Sequence, residues 1–286
     1  MEQIKIFIEL TRLNKPIGFM LLFWPCAWGL TLAYYFDGEK ILYFKYLILF
    51  FLGSVLMRSA GCIFNDIVDK DLDNKVERTK KRPIASGKIS ILSSFIYVIF
   101  LCFLALIILL QLNWLTIVLG MGSMLLAFSY PFMKRITYWP QLFLGLTFNW
   151  GIIMGWSSIA NNISIEPIIL YIAAIFWTLG YDTIYGLQDI YDDEIIGVKS
   201  TSIKFKNNVK VFVGTCYSLC VLCILILGFL MEIDKFFLSL SIFFILSLIY
   251  QIKVFKIDNP KSCLFCFKMN NLTGLFIFLF IFSFNL

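Results

Sequence analysis

Histidine is absent from all 286 residues, and aspartate, glutamate, lysine and arginine together make up only 15% of the chain. The first absence removes the commonest ligand for zinc, copper or iron and the usual general base near neutral pH. The second excludes an ordinary soluble domain, in which about a quarter of the residues carry charge. A cleavable leader is not expected either. Residues 1–16 are amphipathic and include acids, and no small-residue cleavage site follows the first apolar run. No Arg- and Ser-rich transit segment is present, so the expected home is a bacterial inner membrane.

Apolar residues fill the space left by these absences. They form 60% of the sequence, and mean hydropathy is +0.87. Runs of about 20 apolar residues, long enough for ~30 Å of hydrocarbon, recur near 17–36, 41–62, 91–111, 113–130, 141–160, 164–186, 209–231, 235–252 and 271–286. In lipid such runs must be helices, because no water satisfies an open backbone. The expectation is an all-α membrane protein of nine transmembrane helices, forming a single domain over residues 1–286. The N-terminus and the even-numbered loops hold 20 of the 24 basic residues, which puts them on the cytoplasmic side. The net charge of +6 follows from that topology and calls for a lipid bilayer, with no nucleic-acid partner.

Eight cysteines include two C-x-x-C pairs, Cys220/Cys223 and Cys263/Cys266. The first falls in mid-span and the second is expected in a cytoplasmic loop, so a shared zinc site would distort the bundle. Packing is the favoured role.

Acids gather in two expected cytoplasmic loops, at the ends of the second and sixth spans. One reads Asn65-Asp66-Ile67-Val68-Asp69-Lys70-Asp71-Leu72-Asp73, and the other runs from Asp182 through Asp189 to Asp193-Glu194. At about 100° per residue, Asn65, Asp66, Asp69 and Asp73 share one sector of a continuing helix, with Arg58 two turns deeper. On the same count Asp182, Asp189 and Asp193 share another, while Asp71 and Asp192 point aside. Carboxylates massed at a helix C-terminus oppose its dipole and one another. A cation resolves that conflict, and oxygen-only ligands suit Mg²⁺, which leaves coordination positions for phosphate. The flanking Arg78, Lys81, Arg82, Lys134, Arg135 and Lys199 are placed to neutralise such an anion. Arg58, inside an apolar helix, needs an anionic partner of its own: the Asp69 cluster or a substrate. A secondary transporter is the alternative from another class, but its ion sites would lie nearer the bilayer midplane.

These stretches resemble the UbiA superfamily of membrane prenyltransferases. Its N-D-x-x-D-x-x-x-D motif is matched at Asn65, Asp66, Asp69 and Asp73, its R-T-x-x-R-P-I-A-S-G element from Arg78 to Gly87, and its second motif from Tyr181-Asp182 through Asp189 and Asp193 to Lys199-Ser200. Arg12-Leu13-Asn14-Lys15-Pro16, Leu22-Phe23-Trp24-Pro25 and Tyr130-Pro131-Phe132-Met133-Lys134-Arg135 look like its 4-hydroxybenzoate branch. Asn14 stands where that family commonly has an acid. The resemblance implies a helical bundle around a central cavity open to lipid. It further implies Mg²⁺-dependent transfer of a polyprenyl group from polyprenyl diphosphate to the 3-position of 4-hydroxybenzoate, in ubiquinone biosynthesis. By the same logic Asp66, Asp69, Asp73, Asp189 and Asp193 hold the metal, assisted by Asn65. Arg78, Arg82, Arg135 and Lys199 contact diphosphate, Arg58 the benzoate carboxylate, and Asp182 either orients a neighbour or serves proton transfer. Another aromatic acceptor is the alternative within the superfamily.

Overall fold

Segments that cannot offer their backbones to water have the helix as their one local solution, and in the computed structural model every regular element among the described residues is a helix. These are all except Met1, Gly38, residues 235–237 and Leu286. A short amphipathic helix, α1 (Glu2–Thr11), precedes α2 (Ile17–Asp37) and the long α3 (Lys40–Val68), which passes into the single turn α4 (Lys70–Asp73). There follow α5 (Ile91–Leu109), α6 (Trp114–Ile136), α7 (Pro140–Ala160), α8 (Ile165–Gly186), α9 (Ile190–Ile196) and α10 (Thr201–Lys204). The chain ends with α11 (Val209–Leu230), α12 (Ser241–Val254) and α13 (Pro260–Phe282).

Among the described residues, eight helical stretches are long and apolar enough to cross a membrane. The ninth expected span, 235–252, corresponds to α12, which has 14 residues; its expected first residues lie outside those described. At 1.5 Å per residue α12 reaches about 21 Å, short of the ~30 Å hydrocarbon core. The last span also starts earlier than 271. Asn259 accepts a bond from the Ser262 amide (3.2 Å) and Pro260 takes the first helical position, a pairing that starts a helix well. Cys263 and Cys266 are therefore buried on α13, not in a loop. By contrast, the turn expected at residues 111–113 is where α5 gives way to α6, with Asn113 accepting from the Thr116 amide at 2.9 Å.

Two features hold the bundle. The first is close approach of α2 to α7. A Cβ on Gly29 would lie 2.0 Å from the Ile152 carbonyl oxygen, and one on Gly155 would lie 2.3 Å from that of Cys26. Without a hydrophobic drive between helices in lipid, such small-residue contacts let backbones meet. The second is a buried polar network. Trp177 Nε1 donates to Asn270 (2.8 Å), whose Nδ2 donates to Gln251 Oε1 (3.1 Å), and Tyr217 Oη donates to the same oxygen (2.9 Å). It ties α8, α11, α12 and α13 together. The opposite wall, α3, α5 and α6, packs less tightly and shows large apolar side chains such as Leu92, Phe103 and Leu125 to the lipid.

Overfilling a packed core costs about 1–3 kcal/mol, and a backbone contact cannot give way as a side chain can. Gly155→Leu is therefore expected to lower the unfolding midpoint in detergent sharply. Gly214→Leu, where nothing lies within 4 Å of the added carbon, should leave it unchanged.

Candidate active site

The first acidic stripe stays on one face because α3 and α4 are nearly continuous across Asp69: the Asp69 amide bonds to the Asn65 carbonyl (2.9 Å) and the Asp73 amide to that of Asp69 (2.8 Å). Asp66, Asp69 and Asp73 are all buried, and Asp71 is exposed. Each buried acid meets a cation. Asp66 accepts from Arg12 (2.5 Å) and Arg82 (3.0 Å), Asp73 from Arg82 (2.8 Å), and Asp69 from Lys134 (2.5 Å) and Asn65 (2.9 Å). Burial raises the Asp69 carboxyl above its ordinary range, and Lys134 works against that rise. Its Oδ1 is buried without a hydrogen bond, Arg135 lying 3.5 Å away.

The arginines arrive on the loop after α4. Val76, Thr79, Pro83, Ile84 and Ala85 are buried there, and Thr79 Oγ1 donates to the Asp73 carbonyl (3.0 Å). That anchoring turns Arg78 and Arg82 inward. Arg78 grips Asp189 through Nε (2.7 and 3.0 Å) and Nη2, with its guanidinium 5.7 Å from the centre of the Tyr185 ring. Thus the loop ties the two acidic motifs together across 111 residues.

The second stripe departs from a continuous helix. After Gly186, residues Leu187–Asp189 form a 3-10 turn and α9 begins at Ile190, so a count of 100° per residue does not carry from Asp182 to Asp193. Asp193 lies in the fields of Asp189, Lys134 and Arg78. Asp192 does point aside, where its Oδ2 accepts from the Glu77 amide (3.3 Å).

Below this charged ring opens a cavity of about 1520 Å³ whose lining passes from Arg12, Asp66, Arg78 and Arg82 to apolar side chains such as Leu109, Met124 and Met154. Arg58 and Asp182 line it between these ends. Arg58 has no bond to the Asp69 cluster, which is occupied by Lys134 and Arg135. Its guanidinium lies 5.3 Å from the centre of the Phe148 ring, its Nε is buried without a partner, and the nearby opposite charge is Asp182.

Not every expected residue converges. Arg135 donates to the Val68 carbonyl (2.6 Å) and is largely exposed. Lys199 donates to the Ile136 carbonyl (3.1 Å) beside the Tyr138 ring, and neither residue lines the cavity. Arg12 does line the cavity, while Lys134 and Arg135 both stand at Asp69, outside the lining. Arg12, for which the sequence offers a place at the site or at the membrane interface, reaches Asp66 from the α1–α2 turn through a left-handed backbone (φ 55°). Lys134 stood out in sequence only as one cation among several.

The UbiA prenyltransferase family pattern matches residues 22–279. The chain belongs to the UbiA prenyltransferase family. Within it, the chain is 41% identical to the 4-hydroxybenzoate polyprenyltransferase, mitochondrial, of Drosophila melanogaster, over 96% of this chain and 70% of the fly protein. It is 44% identical to the human protein of that name, over 96% and 73%. The relative of the same name in Arabidopsis thaliana is 48% identical over 74% of this chain and 52% of its own. In fold, the chain is similar to the apo UbiA homologue of Aeropyrum pernix K1 (TM-score 0.77, 22% identity, 92% of this chain and 97% of that one). It is also similar to the UbiA homologue of Archaeoglobus fulgidus bound to GPP and Mg²⁺ (TM-score 0.74, 18% identity, 98% and 99%).

A hard cation fits this UbiA site by chemistry: the acids supply only oxygen, and the unbonded Asp69 Oδ1 is a buried acceptor without a donor. Among the described residues no three acids stand together as a ready-made metal group; Asp66, Asp69, Asp73 and Asp189 are instead each paired with a basic side chain. Removing one partner of a buried pair costs about 3 kcal/mol or more. Arg82→Ala, which strips Asp73 of its partner, is expected to destabilise the ligand-free protein by that order. Lys80→Ala breaks only an exposed pair with Glu77 and should leave stability essentially unchanged. Denaturant unfolding in detergent compares the two.

Proposed function

We propose that this chain transfers a polyprenyl group from polyprenyl diphosphate to the 3-position of 4-hydroxybenzoate, releasing diphosphate, as one transmembrane prenyltransferase domain over residues 1–286. The carrying observation is a ring of acids and arginines set at the mouth of a largely apolar cavity. An amphiphilic donor fits that arrangement end to end, diphosphate in the ring and hydrocarbon below. The names of the curated relatives support both the donor and the aromatic acceptor, and with them a place in ubiquinone biosynthesis.

Asp66, Asp69, Asp73, Asp189 and Asp193 would hold Mg²⁺, with Asn65 orienting Asp69. Bound there, the metal would draw negative charge from the departing diphosphate. The protein's own cations do the rest. Arg78 and Arg82, now on Asp189, Asp66 and Asp73, turn to phosphate oxygens as the acids exchange partners; Arg12 and Lys134 share that task, and Arg135 and Lys199 stand at the rim. Ionisation leaves an allylic cation, which Tyr185 faces with its ring backed by Phe267 at 4.3 Å. The apolar walls exclude the water that would quench it. Arg58, with its free buried Nε, receives the benzoate carboxylate and turns the ring toward the cation. The membrane is the bacterial inner membrane with both motifs cytoplasmic. The basic-residue asymmetry supports the orientation, and an organellar membrane, as in the relatives' names, is the alternative that cell fractionation decides.

Liposomes containing the protein should release diphosphate only when Mg²⁺, prenyl diphosphate and 4-hydroxybenzoate are all supplied, and chelation with EDTA should stop it. Diphosphate release without the aromatic acid would sink the acceptor assignment. Asp69→Asn should reduce the rate at least 100-fold, the scale of a lost electrostatic group. Arg58→Leu should raise the Michaelis constant for 4-hydroxybenzoate and leave that for the donor unchanged; an unaltered acceptor constant would remove Arg58 from this role.

A further inference from the structure

Replacing a ring hydrogen by carbon leaves a proton to be removed, and the site has few groups to take it. There is no histidine. The described acids lining the cavity are Glu9, Asp66 and Asp182. Glu9 is exposed on α1, and Asp66 is already clamped by Arg12 and Arg82, both on its Oδ1. Lysines there are charged and have no free pair.

Asp182 differs from each of these. It lies roughly two turns back along α8 from Asp189, below the charged ring. Among the described residues it makes neither a hydrogen bond nor an ion pair, while Asp66, Asp69, Asp73 and Asp189 are each held by a basic side chain. Arg58 acts on it through its field but stays beyond ion-pair distance. A closed Arg58–Asp182 pair, the purely structural role, would satisfy both groups; here Arg58 Nε is left buried and unbonded, as is the Tyr181 hydroxyl beside it. Three polar groups with unused capacity thus line one stretch of the cavity, between the ring of charges and the apolar walls. Those are groups that an anionic aromatic ring would engage.

We propose that Asp182 is the base that removes the ring proton from the aromatic acceptor. The inference rests on the acceptor reading above. The allylic carbon–oxygen bond breaks and its electron pair leaves with diphosphate. A ring π pair then forms the new carbon–carbon bond. The carbon–hydrogen pair at the alkylated carbon returns to the ring, and its proton passes to the Asp182 carboxylate, which later gives it up to water at the cavity mouth. With the carboxylate of the acceptor on Arg58, the ring lies against Asp182 and the two charges hold it from either side.

The test compares full-length protein in liposomes, wild type against Asp182→Asn, on 4-hydroxybenzoate carrying protium or deuterium at its 3- and 5-positions. Wild type should show no ring-deuterium effect on turnover, because a positioned base makes proton loss fast. Asp182→Asn should prenylate about 100-fold more slowly, the usual contribution of a general base. It should also show a primary deuterium effect and release more diphosphate than prenylated acid, prenyl alcohol making up the difference. If Asp182→Asn does not accumulate, Asp182→Glu keeps the carboxylate and should turn over more slowly than wild type with a deuterium effect between the two. A variant as fast as wild type, or one slowed with no deuterium effect, overturns the assignment; the second result would make Asp182 a positioning residue. Wild-type protein that makes no prenylated hydroxybenzoate would instead overturn the acceptor reading, and the base assignment with it.

Discussion

A carboxylate at the edge of hydrocarbon must find a positive charge or give up its own, and this constraint organises the molecule. Charged groups at that depth are costly, and this chain gathers five carboxylates into two short motifs. The solution is an interlocked set of ion pairs drawn from distant parts of the sequence: the α1–α2 turn, the end of α3 with α4, the loop after α4, the end of α6 and the turn after α8. Arg82 joins Asp66 to Asp73, Arg78 reaches Asp189, and Lys134 reaches Asp69. Each contact satisfies a buried charge and at the same time pins a loop that would otherwise be free to move.

The same arrangement makes the site responsive to a ligand. Buried pairs carry a large desolvation cost against their attraction, so acids and bases that neutralise one another are ready to exchange partners for a ligand carrying both signs of charge. A magnesium diphosphate is such a ligand. The bundle beneath needs the opposite property, rigidity. It is supplied where α2 and α7 touch backbone to backbone at Gly29 and Gly155 and where the Trp177–Asn270–Gln251 network locks α8 to α12 and α13. The α3–α5–α6 wall on the other side is the more exposed one, with large apolar side chains such as Leu92, Phe103 and Leu125 on its surface.

Much of this is written in local sequence. Hydropathy runs place most of the helices because in lipid a long apolar stretch has one structural option, and the helical phase of Asn65, Asp66, Asp69 and Asp73 survives because the backbone runs almost unbroken through Asp69. Legibility fails where backbone geometry or distant contacts decide. The 3-10 turn at Leu187–Asp189 breaks the phase that a continuous helix would give Asp182 and Asp193. The Asn259–Pro260 cap starts the last helix early and turns a supposed loop cysteine pair into buried packing. Spacing does not pair Arg12 with Asp66, because it arrives from a turn 54 residues away, and Arg58 finds Asp182, not Asp69, because Lys134 and Arg135 occupy Asp69 first.

If the protein's own cations hold Asp66, Asp69, Asp73 and Asp189 until a diphosphate arrives, metal and diphosphate bind as one. The direct measurement is binding of Mn²⁺, as a paramagnetic stand-in for Mg²⁺, to purified protein with and without a non-reactive prenyl thiodiphosphate. Tight Mn²⁺ binding only in the presence of the analogue, abolished in Asp69→Asn, is the predicted result. Equally tight binding without the analogue, or binding of the analogue unaffected by metal, would contradict the account.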